Sequence, residues 1–494
     1  MGSYLWCDHV CRWGFYKGPN FISGFSLICI LTFSISFALY PIVASTFDFE
    51  LAYNEGWNAY HQMVAATGGD IYHNASPYVA TNYTPISFYV VGMLAKLGVD
   101  PITIGRVISE LCFLALIALV GISARGLGAS SPESLFGSAM CIALLGAYHR
   151  EYIGIDDPQF LGSAVSLLGL VIYAYTRRSR TRNTVTLSVL IAGGLIKQTL
   201  LAVPIAISAD LLLRDLRGGI KFVLQGTIMA LVAALALYFS FGSTCFSQLA
   251  WPRLYSVHEA ATSTTRYLMT AGGSLPLMIS FFAIYARSGR NRLALIYLLA
   301  ALLVGAFLSG GAGTGSNMFI DLALASSIAA AVIARCLRED LHVDKRLIAA
   351  FLLVTVYGPA LRVPYAVEEL LEGLSGSLRA AQVSFDGDLD LMANYRGAAF
   401  CDSPMLCFRA GREFLLDPFN ASQAIRLGRL DPAPLLEKVA RGELAIIQLS
   451  TLTGHLFGPP LSGGPDVERE FRSLLDQRYR IARTSGRRVF YVPR

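Results

Sequence analysis

Residues 86–98 read Ile86-Ser87-Phe88-Tyr89-Val90-Val91-Gly92-Met93-Leu94-Ala95-Lys96-Leu97-Gly98, and whether this apolar run crosses a bilayer decides the topology of the whole chain. Spanning about 30 Å of hydrocarbon takes roughly 20 apolar residues, so the run is short. Loop charge gives an independent test, because Lys and Arg collect in short cytoplasmic loops. Apart from this run, crossings are expected over 21–44, 102–124, 133–152, 158–176, 184–196, 199–213, 220–241, 273–286, 293–309, 316–334 and 347–363. Basic clusters follow: Arg177, Arg178, Arg180 and Arg182; Arg214, Arg217 and Lys221; Arg287, Arg290 and Arg292; Arg335, Arg338, Lys345 and Arg346. With these crossings every cluster falls on the side of Arg12 and Lys17. If 86–98 also crossed, the later clusters would lie outside while the N-terminus stayed inside. The run is therefore expected as a helix in the membrane interface, with the N-terminus cytoplasmic and the C-terminus outside.

The composition agrees. Of 494 residues, 54% are hydrophobic and 15% charged, and mean hydropathy is +0.52. Soluble domains run at roughly 45–50% apolar and about 25% charged. A soluble enzyme, a disordered chain and a nucleic-acid-binding domain are excluded; a polytopic α-helical membrane protein of about eleven spans is expected. The stretch 21–44 follows basic residues as a signal peptide would. It exceeds the usual apolar core of about 7–15 residues and lacks an A-x-A-like cleavage site, so it reads as an uncleaved span. The net charge of +6 is small for this length.

After Val363 comes a tail of ordinary soluble composition. Strands are predicted at Leu444–Ser450 and Val489–Val492, and helices at Pro434–Arg441 and Val467–Tyr479. The expected domains are a membrane unit at 1–363, with its first outer loop at 45–101, and a small outer α/β domain at 364–494. Of the nine cysteines, Cys29, Cys112, Cys141 and Cys336 read as packing residues. Cys401 and Cys407 fall together in the tail, where a disulfide depends on an oxidising compartment. Asp386, Asp388 and Asp390 resemble the start of a calcium loop, but Gly397 stands where its bidentate Glu belongs.

Ionisable residues at the membrane boundary are costly and mark function by default. The first outer loop reads Phe47-Asp48-Phe49-Glu50-Leu51-Ala52-Tyr53-Asn54-Glu55-Gly56-Trp57-Asn58-Ala59-Tyr60-His61. Glu55 falls in the first turn of a helix predicted over 54–64, where the helix dipole favours a carboxylate; it is a helix cap or a catalytic acid–base group. Asp156-Asp157-Pro158 opens a span, and two adjacent carboxylates are more than an N-cap needs. Lys197 interrupts an apolar region as a snorkelling cation, a partner of Asp157 or a phosphate site. Arg253, His258 and Arg266 lie on a later outer loop, 243–272. Trp57, Tyr60, Tyr72, Tyr78 and Tyr83 are an interfacial belt or a sugar-stacking surface. The first-loop carboxylates with His61 leave a divalent metal open, although no spacing demands one, and no cofactor is required.

An acidic first loop, the aromatic-Pro motif Asn82-Tyr83-Thr84-Pro85, an Asp-Pro opening one span and Lys197-Gln198-Thr199 closing another together resemble the GT-C superfamily of membrane glycosyltransferases. The nearest type comprises protein O-mannosyltransferases, aminoarabinose lipid A transferases and rhizobial lipopolysaccharide core transferases. The resemblance covers roughly residues 20–360; in the tail, Ala410-Gly411-Arg412 and Asp417-Pro418-Phe419 resemble the outer domain of some bacterial members. It implies a polyprenyl-phosphate sugar donor and a glycan, lipid or protein acceptor, at the periplasmic face of a bacterial inner membrane. Asp157 matches the family's second carboxylate and Lys197 a lysine near the donor phosphate. The family's Asp-Glu pair is here Asn54-Glu55, so the expected base is Glu55 or the upstream Asp48. Lys197, Asp156, Tyr83, Arg253, His258 and Arg266 are expected to hold substrate. A flippase of a lipid-linked sugar and a non-catalytic subunit of envelope glycan assembly are the alternatives.

Overall fold

The computed structural model describes residues 24–74, 76–176, 179–271, 274–285, 289–451, 456–457 and 466–494, with side chains of the first helix from Ser34 onward. Arg12, Lys17, Arg177, Arg178 and Arg287 lie outside the described residues, as do the side chains of Cys29 and Lys345. The chain is a helical bundle followed by a small α/β layer.

Among the described residues five segments are long and apolar enough to cross a bilayer: Pro101–Gly126, Leu216–Leu249, Gly289–Leu308, Ser316–Asp340 and Arg346–Asn394. The bent pair Val257–Thr270 and Leu275–Tyr285 adds a sixth if counted as one span. Other apolar helices are shorter, among them Gln159–Tyr175. The protein is a polytopic membrane protein. The run 86–98 forms a helix of 10 residues, Ile86–Ala95. At 1.5 Å per residue it extends about 15 Å, half the hydrocarbon thickness.

Two helices show how the bundle is built. Ile320–Arg335 is buried along almost its whole length, and its alanines let neighbouring backbones approach closely. A Cβ on Gly137 would lie 3.0 Å from the Ser327 carbonyl. Leu216–Leu249 does the opposite, exposing Leu224, Ile228, Leu231, Leu235 and Phe239 as a lipid-facing helix must. At the end of the bundle remote from the first loop, Arg214 and Arg292 both pair with Asp210, and Arg338 pairs with Glu133.

The tail carries a four-stranded sheet of β1 (Ala399–Cys401), β2 (Ile446–Ser450), β3 (Tyr479–Ser485) and β4 (Arg488–Pro493), in the order β1-β2-β4-β3. β1 pairs with β2 in parallel and the rest are antiparallel. The expected strands and helices are present to within a few residues, while β1 and β3 went unpredicted. The aspartate triplet sits inside a helix, Leu378–Asn394, with Asp388 paired to Arg483 and Arg488; it forms no calcium loop. Cys401 and Cys407 are disulfide-bonded. The segment 243–272 is less a loop than expected: one helix ends at Leu249 and the next begins at Val257.

Candidate functional site

The first loop folds back as a helix, Tyr53–Thr67, and its register sets the site. Glu55, at its third position, accepts hydrogen bonds from the Leu51 and Ala52 amides at 2.8 and 3.4 Å, one half of a capping box. Its carboxylate is also gripped by Arg106, at 2.7 and 2.9 Å. The same guanidinium donates to the carbonyls of Ser45, Phe47 and Phe49. This clasp holds the loop against the helix Pro101–Gly126.

One residue earlier, Asn54 points the other way. Its Nδ2 donates to Asp157 Oδ2 at 3.0 Å. Asp157 Oδ1 accepts from Lys197 Nζ at 3.0 Å and from the Gln159 amide at 2.8 Å. The last bond caps the helix Gln159–Tyr175 behind Pro158, so Asp157 is both cap and ion-pair partner. Lys197 sits where helix Arg180–Ile196 gives way to extended backbone, before the next helix begins at Ala202. Its ammonium lies 4.9 Å from the centroid of the Tyr83 ring, a cation–π distance. Gln198 ties the junction down by donating to the Asn82 carbonyl at 2.6 Å.

These groups border a cavity of about 720 Å³ between the bundle and the C-terminal domain. Asn54, Tyr83, Lys197 and Arg253 line one side, and Asp402, Phe419, Asn420 and Arg426 the other. A glycine-rich turn at 310–315 completes the wall: Gly313 has a positive φ of 72°, and a Cβ there would lie 2.1 Å from the Phe419 ring. Only glycine fits, in both conformation and space.

Asp156 faces away from the cavity. Gln62 donates to both its oxygens, at 2.8 and 2.9 Å, and burial, with the charges of Glu55 and Asp157 adding to it, pushes its carboxyl well above the usual range. It is a structural group beside Gly105, where a Cβ would meet its Oδ1 at 2.0 Å.

The expected substrate and base residues thus separate. Asn54, Tyr83, Asp157, Lys197 and Arg253 come together. Glu55 does not line the cavity, and Arg106 with backbone amides occupies both its oxygens; the expectation that it serves as base does not fit this geometry. Asp48 does not either, because its exposed carboxylate pairs with Arg409, outside the cavity lining. His258 and Arg266 are exposed on the helix Val257–Thr270 and contribute nothing to the wall. The tyrosines are packing rather than belt: Tyr72 is fully buried, Tyr60 stacks on Phe414, and Tyr78 donates to the Asp431 carbonyl. His61 is buried against Trp57, and desolvation drops its pKa to about 3, leaving it neutral. Among the described residues no cluster of three metal-ligating side chains occurs. Sequence reasoning missed the C-terminal wall altogether; its one legible trace was Asp417-Pro418-Phe419.

Comparison with solved structures follows this architecture from end to end. ArnT from Cupriavidus metallidurans in the apo state superposes with a TM-score of 0.58 at 13% identity, covering 94% of this chain and 97% of that one. The chain has the ArnT fold. ArnT bound to undecaprenyl phosphate matches at a TM-score of 0.57 and 14% identity, over 95% and 98% of the two chains. No protein-family profile matches the sequence, and no curated protein matches it. This shared fold is in line with the resemblance carried by the loop motifs.

Proposed function

We propose that the protein is an integral-membrane glycosyltransferase that moves a sugar from a polyprenyl-phosphate donor to a hydroxyl of a lipid, glycan or protein acceptor. The observation carrying this reading is the cavity at the membrane boundary with Lys197 in its wall. Asp157 takes one of the three N–H donors of the ammonium, and the rest of this point charge can meet a lipid phosphate. Arg253 lines the same cavity and supplies a second cation for the phosphate released on transfer. The fold shared with a protein solved with undecaprenyl phosphate supports the same donor class.

In this reading the chain crosses the inner membrane eleven times, its N-terminus is cytoplasmic, and the domain at 364–494 is periplasmic. The disulfide Cys401–Cys407 accords with an oxidising compartment. Direct displacement at the anomeric carbon inverts its configuration. Asp157 holds Lys197 and Asn54 in place.

The test is sugar transfer in proteoliposomes from a panel of radiolabelled polyprenyl-phosphate sugars to membrane glycan extracts. Wild type is expected to transfer label, and Lys197→Ala and Asp157→Asn to lose it. Full turnover in both variants overturns the assignment. Movement of labelled lipid across the bilayer without transfer identifies a flippase.

A further inference from the structure

We propose that the cavity contains a second anion subsite, centred on Arg426 of the C-terminal wall, that takes a carboxylate or phosphate carried by the acceptor or by the transferred sugar. The inference rests on the transferase reading above, in which Lys197 and Arg253 meet the donor phosphate, and it adds a further charged group to the substrates.

Arg426 ends the helix Pro418–Arg426. Phe419, Ser422, Gln423 and Arg426 recur at the spacing that puts side chains on one helix face, and all four line the cavity. Three hydrogen bonds fasten this helix to the membrane unit. Asn420 Oδ1 accepts from Asn82, the neighbour of Tyr83, at 2.9 Å. The Asn420 carbonyl accepts from the Trp251 indole at 2.9 Å, and Gln423 Oε1 from the Leu254 amide at 3.4 Å. The donor-side cations are thereby held at the start of the helix. The Arg253 guanidinium lies 5.7 Å from the centroid of the Phe419 ring, and Lys197 stands over Tyr83. Arg426 follows Asn420 by six residues, about 9 Å along the axis, and so addresses a different part of the substrates.

The structural role open to an arginine at a helix end is already filled. The Leu427, Gly428 and Arg429 amides donate to the Gln423, Ile425 and Ala424 carbonyls at 3.1, 2.9 and 2.8 Å, so the backbone itself closes the helix. Among the described residues no carboxylate pairs with Arg426, and its Nε is buried without an acceptor. A buried donor left unmet is costly, and the planar guanidinium fork matches carboxylate or phosphate oxygens two at a time. The occupant that this chemistry selects is an anion.

The experiment is the proteoliposome assay with wild type, Arg426→Gln and Arg426→Lys. The acceptor is membrane glycan extract, either untreated, phosphatase-treated or carboxyl-amidated, and the donors are pairs whose sugars differ by one carboxylate. Wild type is expected to lose about 10- to 100-fold in kcat/KM when the anion is removed from the substrate that bears it, the scale of a hydrogen bond to a charged group. Arg426→Gln should lose as much on the anionic substrate and nothing more on the neutral one, with Arg426→Lys between them. A loss confined to the acceptor arm names the acceptor as the source of the anion; one confined to the donor arm names the sugar. Equal responses of wild type and Arg426→Gln to removal of the anion overturn the proposal, whatever the Tm of the variant. So does a KM raised for every donor regardless of its sugar, which puts Arg426 on the donor phosphate instead. A wild type that transfers from no donor overturns the transferase reading, and the subsite with it.

Discussion

Two buried ion pairs lie side by side in this protein, and they differ in what they leave unused. Glu55–Arg106 and Asp157–Lys197 are equally hidden, with side-chain exposures of 0% and 5% in the first and 1% and 3% in the second. Arg106 spends all its N–H groups: Nε and Nη2 on Glu55, the others on the carbonyls of Ser45, Phe47 and Phe49. Lys197 gives Asp157 one bond and keeps a face on the cavity. A guanidinium is a rigid fork that can be satisfied completely, whereas an ammonium is a compact charge on a flexible stem. Burial of charge thus fails to distinguish structure from function; the donors left over do.

Breaking each pair sharpens the contrast. Arg106→Met should destabilise the fold by about 3–5 kcal/mol, the range for stranding a buried partner, seen as a lowered Tm in detergent. Adding Glu55→Met should not restore it, because three carbonyls have still lost their donor. The double variant Lys197→Met, Asp157→Asn should behave oppositely. Removing both charges of a buried pair is often neutral to stability, so its Tm should stay near wild type. Transfer should fall about 100- to 1000-fold, the scale for deleting a group that meets developing negative charge. Matching Tm losses in the two doubles would erase the distinction.

Glu50 extends the comparison to a carboxylate with a hydroxyl in place of a cation. Burial raises its pKa to about 7, with the Glu55 and Asp402 charges adding to the shift and the Ser403 hydrogen bond and Arg488 opposing it. The folded state therefore favours the protonated form. The associated stability is present in full below the ordinary carboxylate range and is lost as pH rises through about 7. Glu50→Gln should unfold like wild type near pH 4 and gain on the order of 2 kcal/mol above pH 8, measured as Tm against pH. The smallest effect belongs to an exposed pair. Arg441 and Glu437, 62% and 60% exposed, should contribute under about 0.5 kcal/mol, so Arg441→Ala should leave Tm almost unmoved.

That the chain is a polytopic membrane protein was legible because apolar run length is dictated by the bilayer itself. The pairing of Asp157 with Lys197 was legible for the same reason: each stands alone at a boundary where unpaired charge is costly. Glu55 misled because a first-turn carboxylate has the same sequence signature whether it faces substrate or an arginine. Arg106 lies 51 positions away, within an apolar helix where nothing marks it as the partner. Asp402 was invisible on similar grounds, since β1 is only 3 residues long and its place beside the cavity depends on pairing with β2, more than forty positions later. The tail's helices announced themselves by periodicity, but nothing in that pattern says against which surface they seat.

The contact of Gly313 with Phe419 joins segments about a hundred residues apart, and that separation bears on biogenesis. A nascent chain inserted through its last apolar helix already holds Lys197 and Asp157, yet half of the cavity wall is still being synthesised. The cavity is walled on both sides only after the C-terminal segment has been completed and Phe419 is seated on Gly313. The order of synthesis thus places closure of the cavity after assembly of the helices that carry Lys197 and Asp157.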